Sequence, residues 1–341
     1  MHVHSFLGGH SSGTFSEIIS AANANSLRFV IMTEHFEEDF DTASMTLHGE
    51  HAGVLFVNGN ELSDENGDRT LELPGRIKLT PQEAEAALQR SQIDAPVTIV
   101  AYPEEFKDWQ KAGLNGVEVF NVYTNARRIN PVVAFFDVLW SRRSYPDLLF
   151  ALYYERPSES LKLWDQALTR SRSTATAGND AHSNIGVSLR DSSGKTLVGI
   201  QLDPYEVSFR LARMHVLIEQ NKTLNQENLL EAIRSGHCFI GFDFLSDPTG
   251  FSFAAESQGE RKIQGDEITL GADTRLLIQT PVSSTIRLFK DGNLVLGETG
   301  ASSRSVPVTE RGVYRVEVYL PQLGSLAAEK PWIISNPIYV R

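Results

Sequence analysis

The chain has 341 residues, of which 41% are hydrophobic and 22% charged, and its formal net charge is -12. Such a length exceeds what a single core usually covers, so two domains are expected, and the balance of charged and apolar residues is that of an ordinary globular protein. The negative balance excludes a nucleic-acid backbone as macromolecular partner, because phosphate contacts require a basic surface; a small-molecule substrate remains.

The first ten residues, Met1-His-Val-His-Ser-Phe-Leu-Gly-Gly-His10, carry three imidazoles. His2 and His4 are two apart, so on a strand both point to one side and can reach one metal ion. The Gly-Gly pair before His10 lets the backbone turn and bring a third imidazole back. Residues 14 to 26 form the first expected helix, with Thr14 as cap and Glu17 at the reciprocal capping-box position. An apolar run from Leu27 ends in Glu34 and His35. The acidic loop Phe36-Glu-Glu-Asp-Phe-Asp41 follows and would repel polyanions. His48 and His51, three apart, are expected on a surface helix face. Val54 to Glu61 reads as a strand ending in a carboxylate, and Asp64-Glu-Asn-Gly-Asp68 as a turn. Thr80-Pro-Gln-Glu83 starts a helix that runs to about Ile93.

Buried strands are expected from Val97 to Pro103 and from Gly116 to Asn121, and helices across residues 130 to 171, with aromatic positions in the core. Thr174-Ala-Thr-Ala-Gly-Asn-Asp-Ala-His182 is a further strand ending in ligand-type residues, Asp180 and His182. Ligands presented at the ends of several strands are how barrel enzymes build a site. Met214 to Ile218 reads as a short strand with His215 packed or at an edge, and residues 225 to 236 as a capped amphipathic helix ended by glycine. From His237 onward the pattern changes to short strands, with Lys290-Asp-Gly-Asn293 as a hairpin signal. About seven strands over about 100 residues predict an immunoglobulin-like sandwich.

The order His-x-His-Ser, Thr-Glu-His, Gly-Asn-Glu and Gly-Asn-Asp-Ala-His resembles the polymerase and histidinol phosphatase (PHP) superfamily of metal-dependent phosphoesterases, over residues 1 to 205. The resemblance is strongest to the stand-alone bacterial proteins with a β-sandwich after the PHP domain. It implies a distorted seven-stranded (β/α) TIM-like barrel over 1–205, a connecting strand and helix over 206–236, and the sandwich over 237–341. It also implies one metal on His2, His4, Glu61 and Asp180, with Glu61 able to bridge to a second, and another metal on His10, His35 and His182. Asp180 would also take a proton from the attacking water.

Imidazole and carboxylate ligands together suit Zn, Mn or Fe, one or two per chain. Ala101-Tyr102-Pro103 stands where the family has Ala-His-Pro, and residues 62 to 101 contain no histidine, which argues against a three-metal centre. Tyr102 can serve as weak ligand, oxyanion donor or packed side chain. Arg127 and Arg128 either clamp an anionic group or are solvated. The expected activity is hydrolysis of a small phosphoester by metal-activated water. The alternatives are a carboxyl or carbamate ester hydrolase and a non-catalytic binding protein. The sandwich either binds carbohydrate or protein, or covers the first domain.

The single cysteine, Cys238, excludes an intramolecular disulfide and reads as a buried small residue. No apolar run approaches the 18 to 20 or so residues of a bilayer span, and the N-terminus has no basic and apolar leader. Because only Met1 precedes His2, either the first barrel strand is reduced to a stub or, as is favoured, the natural chain begins upstream, which leaves its compartment open.

Overall fold

The computed structural model describes residues 1–9, 11–76, 95–126, 151–183, 186–190, 196–201 and 204–341. They form two compact units that interleave along the chain. The first takes Met1–Ala101, Phe106–Leu114 and Asn179–Phe209, and the second Tyr102–Glu105, Asn115–Gly178 and Arg210–Arg341.

In the first unit, helix α1 spans Phe15–Ala24 and begins with a complete capping box. Glu17 N donates to Thr14 Oγ1, and Thr14 N donates to Glu17 Oε2 at 2.7 Å, so two of the orphan amides at the helix start are satisfied. Its buried face, Ile18, Ala21 and Ala22, packs with Val3, Val30, Met32, Phe56, Tyr205 and Phe209 in one core. Strands β1 (Phe29–Ile31), β3 (Gly49–His51) and β4 (Val54–Val57) make a small sheet in the order β1-β4-β3. Strand β2 (Glu34–His35) runs parallel to β5 (Asn60–Ser63), beyond which come β6 (Arg69–Leu73) and β7 (Val97–Ala101). Helix α2 (Thr42–Met45) is capped by Asp41. The hairpin of β10 (Gly186–Arg190) and β11 (Thr196–Gln201), and the short helix α5 (Tyr205–Ser208), complete the unit.

The expected (β/α) TIM-like barrel does not form. β5, β6 and β7 are antiparallel neighbours, and β5 reaches β6 through the Asp64 to Asp68 turn. A parallel partner needs a crossover of a dozen or more residues, which this turn cannot supply. Asp64 Oδ1 accepts from Asn66 N and Asp68 N, and Gly67 takes the positive φ that closes the turn. The helix expected over 80–93 lies outside the described residues. His48 and His51 are not on a helix: α2 ends at Met45, and the chain turns into β3, which pairs antiparallel with β4.

The second unit holds the parallel pair β8 (Leu114–Asn121) and β9 (Thr174–Gly178), with helices α3 (Val122–Ala126), α4 (Ser158–Leu168) and α6 (Gln226–Arg234). Its largest feature is one ten-stranded sheet rather than the two stacked sheets of an immunoglobulin-like sandwich. The path runs through β12 (Arg213–Val216), β13 (Cys238–Gly241), β20 (Pro331–Ser335), β19 (Gly312–Tyr319), β17 (Arg275–Lys290), β14 (Ser252–Ser257) and β15 (Glu260–Ile263). β18 (Asn293–Pro307), β16 (Glu267–Ile268) and β21 (Ile338–Val340) pair off this path.

The sheet stays continuous because β17 is long. Its first half pairs with β14 and its second half with β19, with register breaks between Gln279 and Ser284 where the strand can bend. Phe253, Leu276, Ile278, Ile286, Leu288, Val316, Val318 and Trp332 form the core on it. The Lys290 to Asn293 hairpin forms as expected, with Asp291 and Gly292 both at positive φ, the conformation a two-residue type I′ turn demands.

A buried ion network joins α4 to β19. Arg315 Nε and Nη2 donate to Asp165 at 2.7 and 2.8 Å, and its Nη1 donates to Glu317 at 2.6 Å. Arg156 donates twice to the same Glu317. Among the described residues, no helix is long and apolar enough to cross a membrane.

Candidate metal centre

The centre is built from four chain segments of the first unit. Residues 1 to 4 form a parallel bridge at Val3 to Ala181. His4 N donates to Ala181 O, Ala181 N to His2 O and Asn179 N to Met1 O, while on the other side Thr33 N donates to Val3 O. This ladder sets the segments carrying His2 and His4, Asp180 and His182, and Glu34 and His35 side by side. β5, paired with β2, adds Glu61. His2 and Asp180 both adopt positive φ, at 61° and 47°, which is rare for residues with a side chain and concentrates at functional sites.

His2 Nε2 stands 3.5 Å from Glu61 Oε2 and 3.4 Å from Asp180 Oδ1, and His4 Nε2 stands 3.4 and 3.5 Å from the same two oxygens. His35 Nε2 is 3.5 Å from Glu61 Oε2. These separations exceed the roughly 2.7–3.2 Å of a good hydrogen bond. They match another figure: donors about 2.1 Å from one ion at tetrahedral angles lie about 3.4 Å from each other.

Two overlapping donor groups result, His2 with His4 and Glu61, and His4 with His35 and His182; within each, the donor atoms lie within 4.8 Å of one another. The His4 ring stacks against those of both His35 and His182, with centroids 4.8 and 4.4 Å apart. His182 Nδ1 lies 2.8 Å from the backbone oxygen of Asp180, a contact in which it donates, so Nε2 is the nitrogen that could take a metal.

Burial and the mutual contacts of these groups set their protonation. His2 and His4 are fully buried, Glu61 and Asp180 nearly so, and His35 and His182 are partly exposed, which leaves the centre open on their side. Burial lowers the His4 pKa to about 4, against partial opposition from Asp180, so its ring is neutral at pH 7, as a ligand must be. For Glu61 burial acts upward, but the imidazoles of His2, His4 and His35 outweigh it and hold the carboxyl at about 2. Asp180 is likewise held well below the usual carboxylate range by His2, His4 and His182, against its burial.

No protein-family model matches the chain, and no curated protein matches it. Among solved structures, PsfC from Pseudomonas syringae PB-5123 is similar at a TM-score of 0.34 and 12% identity, over 63% of this chain and 78% of that one.

Of the residues expected at the site from sequence, His2, His4, His35, Glu61, Asp180 and His182 come together. His10, Arg127 and Arg128 lie outside the described residues. Tyr102 belongs to the second unit, where it is buried with φ at 50°. His48 and His51 each contact a backbone oxygen, of Thr46 and His48 respectively.

Three residues that the sequence reading does not single out border the centre. Arg69 Nη1 lies 3.5 Å from Glu61 Oε1. Tyr205 Oη donates to His4 O at 2.5 Å, and Ser11 Oγ donates to His182 O. Arg69 could have been found from the hairpin register, since it lies on β6, the strand paired with β5. Nothing in the sequence points to Tyr205 or Ser11.

Proposed function

We propose that this protein is a metal-dependent hydrolase that cleaves a small phosphoester with water. The observation carrying this reading is the convergence of four imidazoles and two carboxylates, with N to O separations of 3.4–3.5 Å among buried and half-buried groups. Nitrogen and carboxylate donors in this proportion suit Zn, Mn or Fe, and such an ion would supply a water of lowered pKa and positive charge opposite a developing oxyanion.

His2, His4 and Glu61 would hold one ion, and His4, His35 and His182 offer a second, overlapping set. Asp180, ionised at neutral pH and beside both His2 and His4, would accept a proton at Oδ1. Arg69 brings a positive charge to the edge of the cluster, where it would orient Glu61 and attract an anionic substrate group. The motif order that resembles the PHP superfamily supports a phosphoester over other esters.

The test is the metal content of protein purified without a histidine tag from medium supplemented with Zn, Mn and Fe. One to two equivalents are expected, lost in the His2→Ala/His4→Ala double variant. The same protein should hydrolyse members of a panel of phosphomonoesters and phosphodiesters, and Glu61→Ala should abolish that turnover. Substoichiometric metal that the double variant does not change would overturn the reading. Full metal without turnover on that panel or on carboxyl esters would leave a binding protein.

A further inference from the structure

We infer that Tyr205 and Glu34 are positioning residues of the metal centre, clamping the His4–Ser5 peptide from both sides so that the His4 ring sits where the two donor groups overlap. The inference rests on the metal-binding reading above and extends it to residues that would touch no ion.

His4 is the member common to both donor groups, so an error in its orientation would disturb both. Its backbone is fixed at every polar atom. His4 N donates to Ala181 O at 3.0 Å, and His4 O accepts from Tyr205 Oη. The next amide, Ser5 N, lies in the same peptide plane as His4 O and donates to both carboxylate oxygens of Glu34, at 3.1 and 3.0 Å. Ser5 Oγ and Thr46 Oγ1 also donate to Glu34 Oε1, at 2.6 and 2.9 Å. Glu34 is fully buried, and these four bonds turn its carboxylate to the peptide although the neighbouring His35 joins the donor set. A peptide held at its oxygen by a phenol and at its nitrogen by a carboxylate cannot rotate without breaking one or the other.

The Tyr205 hydroxyl also packs against Ser11 Oγ at 3.2 Å, a contact between two oxygens whose protons go to His4 O and His182 O respectively. Tyr205 thus holds the first ligand segment, and Ser11, packed against it, holds the last. Room for the phenol exists because residue 13 is glycine: a Cβ there would stand 2.0 Å from Tyr205 Oη. Outer groups of this kind orient the ligands themselves, and losing one typically weakens metal binding about 10- to 100-fold.

The test compares wild type with Tyr205→Phe, which removes one oxygen and keeps the ring in the core, and with Glu34→Gln, which keeps the shape but loses an acceptor. Zn and Co(II) affinities are measured by chelator competition, and the Co(II) absorption spectrum reports ligand geometry. Urea unfolding in the presence of chelator gives the stability of the metal-free chain. Each variant is expected to bind both ions about 10-fold or more weakly, with a shifted Co(II) spectrum.

If either variant fails to fold, Ser11→Ala, which leaves Tyr205 in place and removes the hydroxyl that packs against it and donates to His182 O, is expected to lower affinity several-fold. Wild-type affinity and an unchanged Co(II) spectrum in the variants would overturn the inference while leaving the metal centre standing, even if their metal-free stability fell. Failure of the wild type itself to bind Zn or Co(II) would overturn both.

Discussion

Replacing Glu317 by Gln tests the ion network of the second unit quantitatively. The carboxylate is fully buried and accepts from Arg156 twice, from Arg315 Nη1 and from Tyr319 Oη. Burial by itself would raise its pKa, yet Arg156 and Arg315 outweigh that and hold it at about 2, against an ordinary 4.5. At about 1.4 kcal/mol per tenfold change in proton affinity, this difference corresponds to about 3 kcal/mol of stability at neutral pH. Because the folded pKa lies below the unfolded one, that contribution is fully present above about pH 5 and is lost as the pH falls toward 2. Glu317→Gln is therefore expected to cost about 3 kcal/mol at pH 7, with variant and wild type converging as the acid limit is approached. The assay is urea unfolding followed by tryptophan fluorescence at pH 7, 5, 4 and 3, since Trp164 and Trp332 are both fully buried in this unit. Taking the difference between the two proteins cancels the titration of the other carboxylates. A difference below about 1 kcal/mol at pH 7, or one that stays constant down to pH 3, would refute the reasoning.

Zn at 100 times its dissociation constant is expected to stabilise the wild type by about 2.7 kcal/mol and the His2→Ala/His4→Ala variant not at all, as read from unfolding midpoints. Equal stabilisation of both would place the bound ion elsewhere. Gly292→Ala is expected to cost about 1–2 kcal/mol in denaturant unfolding, because φ there is 79° and the new Cβ would press on Asp165 at 3.1 Å. Cys238 is fully buried, and burial pushes its thiol up to about 12 despite the Asn336 amide on its sulfur. Its reaction with a thiol reagent at pH 8 should therefore be negligible in the folded protein and complete in urea; rapid native labelling would contradict the burial.

Much that is local in this molecule is legible from sequence. The capping box of α1 and the Lys290 to Asn293 hairpin each depend on four neighbouring residues whose chemistry admits few alternatives. The ligand set is legible for a related reason: imidazoles and carboxylates at the ends of apolar runs are conspicuous. The wider architecture is not. A short apolar run reads the same whether its neighbour is parallel or antiparallel, and at β5 and β6 the five-residue turn decides the matter rather than the strands. His48 and His51 have helical spacing, but their segment is paired with Val54 to Phe56 as a hairpin. Arg315 and Glu317 alternate on β19 as solvent-facing residues would, but both are buried, paired with Asp165 of α4 and with Arg156. Tyr205 meets His4 across some two hundred residues, a distance over which sequence carries no signal.

The bridge between Val3 and Ala181 has a consequence for how the chain is made. Residues 1 to 4 are bordered in the finished protein by Asn179 and Ala181, which are synthesised much later. At about 5–20 residues per second, His2 and His4 wait on the order of 10–40 s for that flank to emerge. Until then α1 and the small sheet of β1, β3 and β4 can gather, but the segment carrying His2 and His4 lacks one of its two neighbours. A translation product that stops short of Asn179 therefore cannot assemble the six-residue cluster, whose members Asp180 and His182 it lacks.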